Sequence, residues 1–184
     1  MRIQSQFLWI NIIGGILVLG GYIYALIQHP DTRSDLWGGV PEEWRVWIVS
    51  SMFFAAFGYC YAMKYMIFND GLSLDYFGGK IDVTKMLVLL VLFLFSASLW
   101  IHTTFSYIES PTYIKWVFIQ IELWTTALSI LFFTIGLATA IGEQNSFQHN
   151  FSIFGLGIIS FHCLILDALL WINKFPRSDL WKKF

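Results

Sequence analysis

The chain has 184 residues, of which 57% are apolar and 12% charged, with a formal net charge of −1 at pH 7. A soluble domain carries about 25% charged residues, so water is not the main solvent for this sequence, and the near-neutral balance argues against nucleic acid, which needs a strongly basic face. Both cysteines, Cys60 and Cys163, fall inside apolar runs, which argues against a disulfide framework.

Five apolar runs dominate, at about residues 7–27, 46–68, 86–107, 116–141 and 151–172. Each is close to the ~20 residues an α-helix needs to cross ~30 Å of hydrocarbon. The expected fold is all-α: a polytopic membrane protein, one bundle of five transmembrane helices, with the lipid bilayer as its first partner and no separate soluble domain.

In chain order, Met-Arg-Ile-Gln-Ser-Gln precedes the first run, which is too long for a signal-peptide core and ends without an Ala-x-Ala site. It reads as an uncleaved span. Trp9 marks its outer end, and Gly14, Gly15, Gly20 and Gly21 thin it. Pro41-Glu42-Glu43 opens the second span, because proline suits a first helical turn and carboxylates suit its positive end. Ser51, Ala55, Gly58 and Ala62 share one face of that span, a surface on which two backbones can approach closely. Lys64 lies near its outer end, where a lysine snorkels to the headgroups. Asn69-Asp70-Gly71 ends the span, with Gly78-Gly79 further along the loop. Ser110-Pro111 opens the fourth span. That span carries Gly136-x-x-x-Ala140 and Ala138-x-x-x-Gly142, and Gly142 is placed to cap it.

Five spans put the termini on opposite sides. Arg2, Lys80 and Lys85 fall on the N-terminal side. Arg33, Arg45, Lys115, Lys174, Arg177, Lys182 and Lys183 fall on the other, so the C-terminus is expected on the cytoplasmic side. A repeat agrees with this count: Arg33-Ser34-Asp35-Leu36-Trp37 after the first span recurs as Arg177-Ser178-Asp179-Leu180-Trp181 after the fifth. Either copy suits an interfacial anchor, tryptophan at headgroup level and arginine toward phosphate; interface-favoured residues recurring without a shared role are the plainer account. Trp44, Trp47, Trp116 and Trp171 crowd the same interface as an aromatic belt.

Four ionisable residues lie deep in the runs: His102, Glu122, His162 and Asp167. Such groups face a bundle interior and pair with something. The hairpin around Ser110 sets His102 within about one turn of Glu122, with Asp167 near the same level and His162 about 7–8 Å deeper along its helix. His102 and Glu122 are therefore expected to face each other. Serine and threonine neighbours (Ser98 and Ser106; Thr125, Thr126 and Ser129; Ser160) extend the three stripes. A converging layer of this kind allows proton transfer between carboxylate and imidazole, or a seat for a cationic amphiphile among aromatic rings. The plainer account is interhelical hydrogen bonds that fix the bundle. No His-x-x-x-His or His-x-x-Glu spacing supports a metal, and none is expected, nor any cofactor.

Two functions follow from this pattern. One is a small structural or accessory subunit of a membrane assembly, with other membrane subunits as partners. The other is a lipid-like ligand binder, enzyme or proton-coupled carrier that uses the carboxylate and histidine layer. They differ in whether that layer lines a cavity or is packed shut.

Overall fold

A computed structural model describes residues 2–142 and 146–176. The described residues form no strand, and two isolated bridges, Asp75 with Ile141 and Tyr76 with Ile81, join extended segments. Among the described residues, five helices are long and apolar enough to cross a membrane: α1 (Ile3–Gln28), α2 (Glu42–Phe68), α3 (Val83–Glu109), α4 (Tyr113–Ala138) and α5 (Ser146–Lys174). Most extend past the expected runs because polar residues continue the helices beyond the apolar stretches. Glu42 and Glu43 lie in the first turn of α2. Asp82 accepts the Lys85 N–H at the start of α3, and Thr112 accepts that of Lys115 at the start of α4. The fourth helix ends earlier than expected. It stops at Ala138 with Thr139 as its cap, not Gly142, because Ile141 leaves the helix to exchange backbone hydrogen bonds of 2.8 and 2.9 Å with Asp75.

The helices form an open arc. α1 packs on α3, α3 on α4, α4 on α5 and α5 on α2, while α1 and α2 barely touch. The tightest crossing is between α2 and α5. A Cβ on Gly58 would stand 2.6 Å from the Cα of Gly155, so the two backbones are in contact. Ala55 and Ala62 on the same face are buried. The small-residue face of α2 therefore lies against another helix, as expected, and that helix, α5, belongs to the same chain. On α1, Gly14 abuts Leu94 of α3 and Gly21 abuts His102, whereas Gly15 and Gly20 face open space.

Side-chain hydrogen bonds staple the helix pairs. Tyr59 donates to Asn11 Oδ1 (2.5 Å) between α2 and α1, and Ser96 meets Thr126 (2.7 Å) between α3 and α4. Thr134 meets Ser160 (2.8 Å) between α4 and α5. The rest of the outward surface is apolar, with Ile16, Leu19, Ile23, Phe53 and Phe54 all exposed.

The connections close the two ends of the bundle. At one end Gln4 donates to the Ile67 carbonyl and Asp75 pairs with Ile141. At the other, Gly39 N–H donates to the Lys174 carbonyl and Trp171 Nε1 to that of Leu36, both within 3.0 Å. The first and last described residues are thus at opposite ends. Trp116 and Trp171 do not join a peripheral belt; they are buried, stacked with Phe175 at 6.0 and 4.1 Å between ring centres. Trp9, Trp44 and Trp47 are exposed. The first copy of the repeat, Arg33–Trp37, forms a 3-10 turn. The second copy, Arg177 to Trp181, lies outside the described residues, as do Lys182 and Lys183.

A side chain at Gly58 has only backbone to push against. Gly58→Leu is expected to lower stability by about 3 kcal/mol or more, whereas Gly15→Ala, facing open space, should be neutral or stabilising by up to about 1 kcal/mol. Thermal unfolding of the purified chain in detergent checks both.

Candidate functional site

The gap between α1 and α2 is a cleft of about 640 Å³. That is within the usual range for small-molecule sites, roughly 300–1,000 Å³. Leu19, Tyr22 and Leu26 form one lip and Ile48, Met52, Phe53 and Ala56 the other. The back wall is Trp100 and Ile101 of α3 with His162, Leu166, Asp167 and Trp171 of α5. The turn Arg33–Trp37 crosses one end, where Arg33 and Arg45 reach the rim. The guanidinium of Arg45 lies 5.6 Å from the centre of the Trp37 ring. The cleft is greasy for most of its length and polar at that end.

The back wall carries the chemistry. From His162 to Trp171, α5 is wound as a π-helix. In an α-helix, residues five apart differ by about 140° around the axis. In a π-helix, the i→i+5 hydrogen bond brings them nearly into line. His162 and Asp167 therefore share one face, with His162 Nε2 3.6 Å from Asp167 Oδ1. The other ring nitrogen, Nδ1, hydrogen-bonds Ser51 Oγ of α2 at 2.5 Å. The Gly58–Gly155 crossing holds α2 close enough for this bond. His162 is buried, and Asp167 keeps 32% of its side chain exposed, in the cleft. Trp100 stands beside them, between Tyr22 (5.8 Å) and Trp171 (5.4 Å), and its buried Nε1–H has no acceptor among the described residues.

Hydroxyl, imidazole and carboxylate are the parts of an acyl-transfer triad. Here Ser51 lies behind His162 and does not line the cleft. His162 stands between the other two, so the order along the polar contacts from the cleft is Asp167, His162, Ser51. That order suits a carboxylate presented to a ligand and backed by an imidazole, and it does not suit a serine nucleophile.

The expected layer does not form as one unit. His162 and Asp167 come together, but His102 and Glu122 do not. His102 is exposed beside α1, its ring 6.4 Å from that of Tyr24, while Glu122 is buried against α3. The partner of Glu122 is the next residue along: Thr103 Oγ1 donates to Glu122 Oε1 at 2.8 Å. One residue of α-helix is about 100° of rotation, which is enough to turn His102 off the hairpin and Thr103 into it. Glu122 does not line this cleft. Tyr22, Ser51, Trp100, Arg33 and Arg45 were not marked as site residues by the sequence pattern. In the sequence Ser51 reads as a small packing residue, and Arg33 as an anchor and, with Arg45, as a charge that sets orientation. Among the described residues, no three His, Cys, Asp or Glu side chains gather as a metal site would require.

No family model matches the chain, and neither the curated proteins nor the solved structures yield a match.

Glu122 Oε2 has no partner, so Thr103 is the one side chain that satisfies this carboxyl among the described residues. Thr103→Val should cost about 1–3 kcal/mol. Replacing both groups, Thr103→Val with Glu122→Leu, should recover most of it, since a buried group without its partner is what carries the cost. A double-mutant cycle of unfolding midpoints measures this.

Proposed function

We propose that this chain is a five-span membrane protein that takes the apolar part of a lipid-like ligand into the cleft between α1 and α2. The observation that carries this reading is the cleft itself: an opening between two outward apolar faces, with a carboxylate and imidazole on its back wall and arginines at one end. A soluble ligand has no reason to approach through surfaces as greasy as Ile23 and Phe53. A bilayer component is already in contact with them.

Orientation follows from charge. Seven of the Lys and Arg residues fall on the C-terminal side of the five crossings against three on the other. We therefore assign that side to the cytoplasm, and the cleft to the leaflet facing it. Arg33 and Arg45 would stand at headgroup level there. Asp167 would be in the hydrocarbon layer, a depth where ionisable residues mark ligand or proton paths.

An accessory-subunit role draws on a different observation. α1 is covered on one side only, and Gly15 and Gly20 face open space. The most compact small-residue face, that of α2, is already occupied by α5. Ligand binding therefore has the stronger support.

Ala56 is exposed on the lip of the cleft. Ala56→Trp should fill the upper cleft without disturbing the bundle and weaken binding of a fluorescent long-chain probe at least tenfold, a loss of about 1.4 kcal/mol. Unchanged probe binding would remove the cleft as the site.

A further inference from the structure

Taking the cleft as a binding site, we infer that its ligand carries a protonated amine directly at the head of its apolar chain, and that Asp167 is the group that selects it. Asp167 is the carboxylate on the cleft wall, and no Lys or Arg lies within ion-pair distance of it among the described residues. Among the described residues its basic neighbour is His162, at 3.6 Å. That ring is committed on its far side to Ser51. If the serine hydroxyl donates, the ring is neutral and the carboxylate remains uncompensated in an apolar wall. An isolated charge in such surroundings is costly, and a cation supplied by the ligand removes that cost.

The surrounding rings fit the same cation. Tyr22, Trp100 and Trp171 line the cleft with Asp167. Aromatic faces attract ammonium groups, and a carboxylate among them completes a cation seat.

The order of charges along the cleft separates an amine from other headgroups. Ser51 and His162 mark one level through their hydrogen bond, and Trp171 and Leu36 mark a second, nearer the rim, through theirs. Asp167 falls between these levels in sequence. Arg33 begins the turn that contains Leu36. Arg45 is six residues from Ser51 toward the same rim, about 9 Å along α2. Passing inward, a ligand meets positive charge first and negative charge second. A phosphate or carboxylate stops at the arginines and is repelled by Asp167. An amine adjoining the chain reaches Asp167 as the chain fills the apolar part of the cleft. A neutral head of the same shape leaves the carboxylate unpaired.

The experiment displaces a fluorescent long-chain probe from the full chain in detergent with dodecylamine and with dodecanol. Dodecylamine should compete at least about tenfold better than dodecanol against the native chain, the order expected for a partly desolvated charge pair. Asp167→Asn should bring the amine down to the level of the alcohol and leave the alcohol unchanged, whereas Asp167→Glu should keep a preference for the amine. Equal competition in the native chain, or an amine preference that survives Asp167→Asn, overturns the inference. Failure of the cleft reading has a separate signature: the probe binds equally well to Ala56→Trp. If Asp167→Asn does not fold, the native comparison together with Asp167→Glu decides the matter.

Discussion

The contact between Gly58 and Gly155 governs the architecture. Two glycines let the backbones of α2 and α5 touch, and no larger residue at either position leaves that distance intact. In a bundle whose exterior is as apolar as its interior, burial alone gives helices little reason to choose one neighbour over another. Close packing and interhelical hydrogen bonds supply the choice. With α2 committed to α5 and α1 to α3, α1 and α2 meet at one end through the Tyr59–Asn11 and Gln4–Ile67 hydrogen bonds and part beyond them. The gap that remains is the cleft. The same crossing brings Ser51 to His162, so the packing contact and the polar site are consequences of a single approach.

The hydrogen bonds between helices do the complementary work of setting register. Asn11 with Tyr59, Ser96 with Thr126, Thr103 with Glu122, and Thr134 with Ser160 each tie one helix to the next at one height. Each bond is worth little in net terms, about 1 kcal/mol. A slip along a helix would break it and leave two buried groups unmet, so the set resists sliding more than its sum suggests. Glu122 belongs to this set. It is a carboxyl that holds α3 to α4, away from the cleft between α1 and α2.

The five helices and the face of α2 that packs were legible in the sequence because each leaves a one-dimensional trace: a long apolar run, or small residues at three- and four-residue spacing. The partner of that face was not legible, since Gly155 carries no mark that separates it from Gly157, which faces open space. Pairing across the α3–α4 hairpin failed by one position. Depth along a helix can be counted to within a turn, but rotation about the axis changes by about 100° per residue. His102 and Thr103 have almost the same depth and point in different directions. The burial of Trp116 and Trp171 was missed because tryptophan near a helix end reads the same whether it meets a headgroup or a Phe175 ring.

The π winding of α5 is the feature no periodicity reported, and it is the one that makes the site. Straight α-helical geometry separates His162 and Asp167 by about 7–8 Å along the axis and well over a quarter turn around it, which is why they looked like members of different layers. Wider winding brings them onto one face. The π-helix is rare, usually limited to single-turn bulges, and frequent where function resides. Here it extends over His162–Trp171 and coincides with the back wall of the cleft. The same segment also packs on α4 and α2, with Cys163, Ala168 and Trp171 buried, so its winding serves the bundle and the cleft wall together. The unusual winding starts at the imidazole, passes the carboxylate and runs on to Trp171 on the same cleft wall. What this winding does that an α-helix cannot is bring two residues five apart onto one face, and the two it aligns here are an imidazole and a carboxylate.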